Sequence, residues 1–400
     1  MSGAPILRGL RVVEVSAFVA APLGGATLAE LGADVVRVDP PGGGIDAGRW
    51  PLHRGRSLYW AGLNQGKRSV NVDTRTERGQ RIVADLIVEA GACLTNLPPA
   101  GWMSFEHLRE RRPDLVMLVI TGNPDGSAAV DYTINAAVGF PLVTGPESAT
   151  VPVNHVLPAW DIIAGHLAAT GIIAGELRRV RTGEGGLVTL SLADAALASI
   201  GHLGLLSEAQ LEPQPRGRYG NAVYGTFGRD FATADGRAVM VTAVTARGWR
   251  SLTDATETTA RAAELEQRHA VDFRDEGARF THRAELCALL EPWIASRPLA
   301  EVARVFNEKG VLWGPYQSFK QLVAEDPRAT PANPLFAQVE HPGIGRVTAA
   351  GSPLMFQGTD RVPPARAPAM GEHTREVLRS WLGLSEDELA GLAREKVIPA

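Results

Sequence analysis

In the stretch HVLPAWDIIAGHLAATG (His155–Gly171), Asp161 is the only acid, and a run of Ile, Ala, Gly and Leu follows it. A carboxylate in that place can do one of two jobs, or both. It can cap a helix, since Asp accepts N–H bonds at a helix start and suits the positive end of the dipole. It can also act as a nucleophile. Its ordinary pKa near 4 leaves it ionised at neutral pH, so it needs no neighbouring base, unlike Ser or a neutral Cys. Position 164 is Ala, so no capping box supports the first job. Ala164, Ala168, Gly171 and Gly175 share one helical face, which admits a close backbone or a ligand. Arg178, Arg179 and Arg181 stand at the far end, where cations complement the dipole.

Other chemistries leave weaker traces. No G-x-S-x-G elbow and no H-E-x-x-H pair occurs, and the nine histidines are dispersed, so no metal is expected. His155 and His166 flank Asp161 without metal spacing. NQGKRSVNVD (Asn64–Asp73) carries Lys67 and Arg68 in a loop before a strand. Arg forks onto phosphate oxygens and Lys adds a point charge, although a solvated loop pair reads the same way. The first strand-turn-helix and Asp39 superficially suit a dinucleotide, but Gly24 and Gly25 are adjacent and lie inside the helix. The spacing that brings backbone to a pyrophosphate is missing.

The bulk numbers are those of a globular protein of 400 residues, 45% hydrophobic and 21% charged, long enough for two domains. A net charge of -4 offers no field for nucleic acid. Cys93 and Cys287 stand in apolar contexts, which excludes a disulfide framework and fits a reducing cytosol. No apolar run reaches the ~18 residues of a membrane span. The N-terminus lacks a signal-peptide pattern, so a cytoplasmic protein is expected.

Strands and helices alternate through the first half: RVVEV, a helix over APLGGATLAELG, ADVVRVD, RSVNVD, a helix over TERGQRIVADLIVEAG, ACLTN, SFEHLRERR, DLVMLVITG, the helix after Asp161, GLVTLSL and a helix over ADAALASIGHLGLLSEA. This predicts an α/β fold with a doubly wound, Rossmann-like parallel sheet over residues 1–211. EPQPRGRYGNAVYG reads as a linker. A smaller α+β domain is expected over 222–325, with a hairpin turned at Asp235-Gly236 and helices near 246–256, 257–270, 276–297 and 299–309. Two returning strands (LFAQVEH and GRVTAAGSPLMF) and two tail helices bring residues 335–400 back to the large domain.

LRGLRVVEVSAFVAAPLGGATLAELGADVVRVDPPGGG, LNQGKRSVNVD, RRVRTGEGGLVTLSLADAALA and APAMGEHTREVLRSWLGL, in that order, resemble the family III CoA-transferases, which include the α-methylacyl-CoA racemases. The resemblance spans essentially the whole chain. It implies an enzyme in which Asp161 is the catalytic nucleophile on a CoA thioester. LYWAGLNQGKRS, VDYTINAAVGFPLVTGP, VNHVLPAWDI, YGTFGRDF and GVLWGPY further resemble a branch that moves CoA within one C5 unsaturated dicarboxylate. Two departures speak against the racemases: Val130 stands where they carry His, and Thr245 where they carry Glu. Removing and returning a proton needs a group on each face of the carbon. The glycine-rich closing loop of formyl-CoA-type transferases is missing between 212 and 250, which suits an acid that never leaves.

The resemblance also implies where substrates sit. CoA, as part of the substrate and not as a tightly bound cofactor, is expected at Phe18, Lys67, Arg68 and Asn96; Pro40 replaces an Arg common at that place. Candidates for the free carboxylate of a small dicarboxylic acid are Arg49, His53, Asp131, Asn154, His155, Tyr219 and Arg229. The remaining partner is a second copy in an interlaced homodimer, with no nucleic acid or membrane. Two other readings stay open: an intermolecular transferase using separate donor and acceptor acids, and a CoA-binding protein without activity.

Overall fold

The computed structural model describes residues 4–400. It opens with β1 (Arg11–Val15), α1 (Ala20–Glu30) and β2 (Asp34–Asp39). A two-residue hairpin, β3 (Leu52–His53) with β4 (Arg56–Ser57), and a short α2 (Leu58–Leu63) then precede β5 (Arg68–Asn71). Next come α3 (Glu77–Ala90), β6 (Ala92–Thr95), α4 (Phe105–Arg111), β7 (Val116–Thr121), α5 (Asp131–Ala137), α6 (Phe140–Val143), α7 (Ala159–Thr182), β8 (Gly186–Ser191), α8 (Leu192–His202) and α9 (Leu205–Leu211). The single helix expected over 193–209 is broken at Gly204, whose φ of 75° is left-handed.

Six strands form one sheet in the order β5-β2-β1-β6-β7-β8, and every pair is parallel. In order of appearance this is 3-2-1-4-5-6, the doubly wound arrangement whose chain direction switches between β1 and β6. Strands β1, β2, β6 and β7 are buried on both faces because helices cover both, whereas β8 at the edge alternates half-buried and exposed residues. Thr76 caps α3, left-handed Gly91 closes it, and Ile82, Val83, Leu86 and Ile87 reach the core beside Val13, Val36 and Met117.

The small-residue face of α7 meets protein backbone. A Cβ on Gly24 of α1 would lie 3.1 Å from the Gly165 carbonyl oxygen, and one on Gly165 would lie 2.9 Å from that of Ala20. Farther along, a Cβ on Gly171 would come within 2.5 Å of Leu118, and one on Gly175 within 2.6 Å of Val116. The face therefore serves close packing on α1 and β7.

The chain divides into two compact units. The first comprises residues up to Val138, Val156–Glu208 and Pro327–Ala400; the second comprises Gly139–His155 and Ala209–Asp326. Gly139–His155 thus groups with the second unit, although it lies within the 1–211 span of the sequence reading.

In the second unit β9 (Phe227–Ala232) and β10 (Ala238–Ala243) form an antiparallel hairpin whose turn includes left-handed Gly236. Helices α10 (Ala246–Ala255), α11 (Thr259–His269), α12 (Glu276–Thr281), α13 (Arg283–Ala295) and α14 (Leu299–Lys309) follow. The stretch expected as one helix over 276–297 is two, divided at His282. A third strand, β11 (Leu312–Pro315), joins the far side of β10. Phe227, Val241, Trp249, Phe273, Leu290 and Phe306 fill this unit's core.

Ser318 opens α15 (Phe319–Glu325) with a capping box. The returning strands, β12 (Phe336–His341) and β13 (Gly345–Ala350), pair only with each other. α16 (Thr374–Leu382) and α17 (Glu386–Arg394) then bring Val377, Leu378, Trp381, Leu389 and Leu392 into the core of the large sheet. No helix among the described residues is long and apolar enough to cross a membrane.

Candidate active site

Helix α7 starts at Ala159, so Asp161 is its third residue, and the helix start carries no side-chain cap of its own. The cap comes from Asp131, at the start of α5. Its Oδ2 accepts the Trp160 N–H at 2.8 Å and the Asp161 N–H at 3.2 Å. Asp131 is buried and its Oδ1 has no hydrogen-bond partner among the described residues. The residue expected to touch the substrate therefore holds the helix instead, and the Asp161 carboxyl is spared that task.

Burial first, then the negative charge of Asp131, pushes the Asp161 carboxyl up to about 6, while Arg49 pulls it back. At neutral pH the anion still predominates, and it is a more basic nucleophile than an exposed aspartate. Activity that depends on this anion should fall as pH drops through about 6. Asp131→Asn keeps an oxygen for the cap and removes the charge, so it should move that acidic limb to lower pH. A pH profile of kcat/KM for both proteins reads the shift, and an unmoved limb would mean that Asp131 does not act on Asp161.

The turn after β1 forms one wall of the site. Phe18 is left-handed (φ 67°), which is costly for a side-chain-bearing residue and is sustained by its surroundings. Its N–H lies 3.1 Å from both carboxylate oxygens of Asp46. Asn96, just past β6, clasps Ala17: its Oδ1 accepts the Ala17 N–H at 2.9 Å and its Nδ2 donates to the Ala17 carbonyl at 2.7 Å. Phe18 and Asn96 thus lie at the carboxyl ends of β1 and β6, the switch point where open α/β sheets bind ligands. The Arg49 guanidinium sits 4.8 Å from the Phe18 ring and 4.9 Å from that of Tyr59. Tyr59 also feels Asp161 electrostatically; it lies in the LYWAGLNQGKRS stretch but outside the candidate residues drawn from the sequence. A cavity lined by Ala47, Ser57, Trp60, His341, Pro368 and Met370 opens beside this segment.

Beneath the turn lies a buried ion network. Arg37 forks onto Asp39 (Nε–Oδ2 3.0 Å, Nη2–Oδ1 3.2 Å) and reaches Asp46 at 2.8 Å and the Ser16 carbonyl at 3.2 Å. Lys67 donates to Glu14 Oε1 (3.1 Å), Asn64 (3.0 Å) and the Pro22 carbonyl (2.7 Å), and its ammonium lies 2.8 Å from Glu14 Oε2. Its side chain is fully buried, its three protons are engaged, and burial brings its pKa down to about 8. The phosphate role expected for Lys67 does not fit this setting, in which it supports the site from below. Arg68 stands near the start of β5, at the opposite ends of the strands from Asp161. There it pairs bidentately with Asp34 and lies over Trp381, so it too is engaged away from the switch point.

His53 is exposed on the β3–β4 hairpin. Asn154, His155, Tyr219 and Arg229 belong to the second unit. There Tyr219 packs against Tyr224 and Phe280, and Arg229 lies on β9 beside Asp230. Arg181 is 20 residues beyond Asp161, roughly 30 Å along the helix. Its neighbour Gly183 is left-handed and closes α7.

The arrangement thus offers one carboxylate, that of Asp161, in the first turn of α7, with the charges of Asp131 and Arg49 acting on it. The chain belongs to CoA-transferase family III: the sequence model of that family matches residues 7–374. It is an enzyme of that type. It is 49% identical over 399 residues to the 2-methylfumaryl-CoA isomerase of Chloroflexus aurantiacus, covering 98% of each chain. It is 29% identical to a succinyl-CoA–D-citramalate CoA-transferase of the same organism, again over 98% of each. Among solved structures, a CaiB/BaiF family protein from Brucella suis superposes with a TM-score of 0.78 at 25% identity, covering 95% of this chain and all of that one.

Proposed function

We propose that the enzyme moves CoA within one molecule, converting 2-methylfumaryl-CoA into 3-methylfumaryl-CoA. The observation that carries this reading is the end-to-end 49% identity to an isomerase of that name, against 29% to the transferase. In this account the Asp161 carboxylate attacks the C1 thioester carbonyl and expels CoA thiolate, leaving a mixed anhydride. The thiolate attacks the Asp161 acyl carbon, which forms an aspartyl-CoA thioester and releases mesaconate into the closed site. The C4 carboxylate of mesaconate attacks that thioester and expels the thiolate again, giving the second anhydride. The thiolate takes the C4 carbonyl and Asp161 departs as carboxylate. Each step exchanges one acyl bond for another, and keeping the acid bound makes its return effectively unimolecular.

Arg49 is the cation assigned to the carboxylate not being attacked, because it is the positive charge that acts on Asp161. Phe18 and Asn96 shape the wall for the CoA arm, and Lys67 and Arg37 hold that wall. Proton abstraction of the racemase kind has no support here. Val130 only precedes α5, its N–H bonded to Thr133, and Thr245 caps α10 through the Gly248 N–H. The second copy of an interlaced dimer and a cytoplasmic setting belong to the same proposal.

Hydroxylamine added during turnover should convert Asp161 to its hydroxamate, and borohydride should reduce the aspartyl thioester. Both products should map by mass spectrometry to the peptide containing VLPAWDIIAGHL. Turnover without any adduct on that peptide would remove Asp161 from the nucleophile's role.

A further inference from the structure

His269, His282 and Glu285 bring two imidazoles and a carboxylate to one point of the second unit, from three sites in the chain with no metal motif. His269 ends α11, His282 stands between α12 and α13, and Glu285 is in the first turn of α13. One donor atom of each lies within 4.8 Å of the others. His269 Nε2 is 2.9 Å from Glu285 Oε1 and 3.0 Å from Oε2, and His282 Nδ1 is 3.7 Å from Oε1. The last distance is too long for a hydrogen bond. A tetrahedral ion with bonds of 2.0–2.1 Å spaces its ligands about 3.3 Å apart. The two imidazole–carboxylate separations bracket that value, and the imidazole nitrogens lie within 4.8 Å of each other.

The frame that carries the three donors is held independently of them. The Phe273 N–H donates to Glu266 of α11 at 2.7 Å, and fully buried Arg279 of α12 donates to the Phe273 carbonyl at 2.6 Å and that of Arg274 at 3.1 Å. His282 is tied on both sides, its N–H to the Ala278 carbonyl and its carbonyl to the Leu286 N–H. The two rings lie 4.3 Å apart, tilted by 38°.

We propose that His269, His282 and Glu285 form a binding site for a divalent transition-metal ion of the zinc, cobalt or nickel kind. Two nitrogens and one carboxylate suit these ions and not magnesium or calcium, which take oxygen ligands. Binding replaces the His269 Nε2–Glu285 hydrogen bond with bonds from the ion to both imidazoles and the carboxylate, and a proton on a nitrogen that takes the ion passes to the other ring nitrogen or to solvent. Arg268, 3.9 Å from Glu285, gives up its ion pair. Glu285 is exposed, so solvent completes the coordination and the ion exchanges. Bound metal would tie the end of α11 to the α12–α13 junction and stiffen the second unit.

The test is a Co2+ titration of the full-length, EDTA-treated protein, followed by visible absorption and by competition with Zn2+. One equivalent should develop the intense absorption of a four- or five-coordinate ion, and Zn2+ should abolish it and raise the unfolding midpoint. His269→Gln, His282→Gln and Glu285→Gln should each weaken binding beyond the roughly 10–100-fold that loss of a mere supporting contact costs. Their unfolding midpoints in EDTA check folding. Glu285, being exposed, carries the test if a histidine variant fails that check. Only the weak spectrum of aqueous six-coordinate Co2+, or a Glu285→Gln protein that binds like the parent, would overturn the proposal.

Discussion

Asp161→Asn is expected to abolish turnover while making the protein more stable. An amide is not an anionic nucleophile, so no anhydride forms, and kcat should fall by about 10^4-fold or more, the scale of removing a covalent nucleophile. The stability argument has the opposite sign. The folded carboxyl, at about 6, binds its proton more tightly than the unfolded one near 3.8. Stability of the parent therefore declines as pH rises from about 4 to about 6 and stays lower above that. The variant escapes the decline and should gain on the order of 1–3 kcal/mol at pH 7.5, with the difference vanishing below about pH 4. Urea unfolding at several pH values reads the gain, and Asp161→Ala separates true residual activity from deamidation. A variant that loses stability at neutral pH would return Asp161 to a structural role.

Arg37→Met should cost about 3–5 kcal/mol, the scale of breaking a buried ion pair from one side. The substitution leaves Asp39, Asp46 and Glu14 buried with Lys67 as their remaining cation. It also releases the Ser16 carbonyl and loosens Asp46, which holds the Phe18 N–H. Protein that still folds should lose kcat as well, because the wall of the site shifts. Arg37→Lys keeps the charge and loses the fork, so it should fall between the two. Denaturant unfolding within about 1 kcal/mol of the parent would show that the network is not what holds this turn.

The sheet was largely legible because local signals agreed with the fold. β1 and β2 match the runs RVVEV and DVVRVD, and Thr76 and Gly91 bound α3 as its sequence suggests. The ion network leaves a trace in the sequence. Glu14 and Arg37 each interrupt an apolar strand, and they are direct neighbours in the β1–β2 register. A charged pair in central strands must be buried together. The burial of Lys67 leaves no such trace, because a cation beside Gly66 has the local sequence of an exposed loop residue. Gly25 makes the difference: a Cβ there would lie 1.7 Å from Glu14 Oε2 and 3.3 Å from the Lys67 side chain, so its absence leaves room for their pair. The capping of α7 by Asp131 spans 30 positions, and the placing of Tyr59 near Asp161 spans 102. Neither leaves a local pattern.

The claim that CoA migrates within one held acid is tested most directly by isotope dilution. Purified enzyme receives 2-methylfumaryl-CoA together with an excess of 13C-labelled free mesaconate, and the thioesters are resolved by mass during the approach to equilibrium. The account predicts that 3-methylfumaryl-CoA accumulates without label, since the acid freed from Asp161 recaptures the aspartyl thioester before it can exchange. Label entering the thioester pool at the rate of turnover would contradict it, and would make the enzyme an intermolecular transferase.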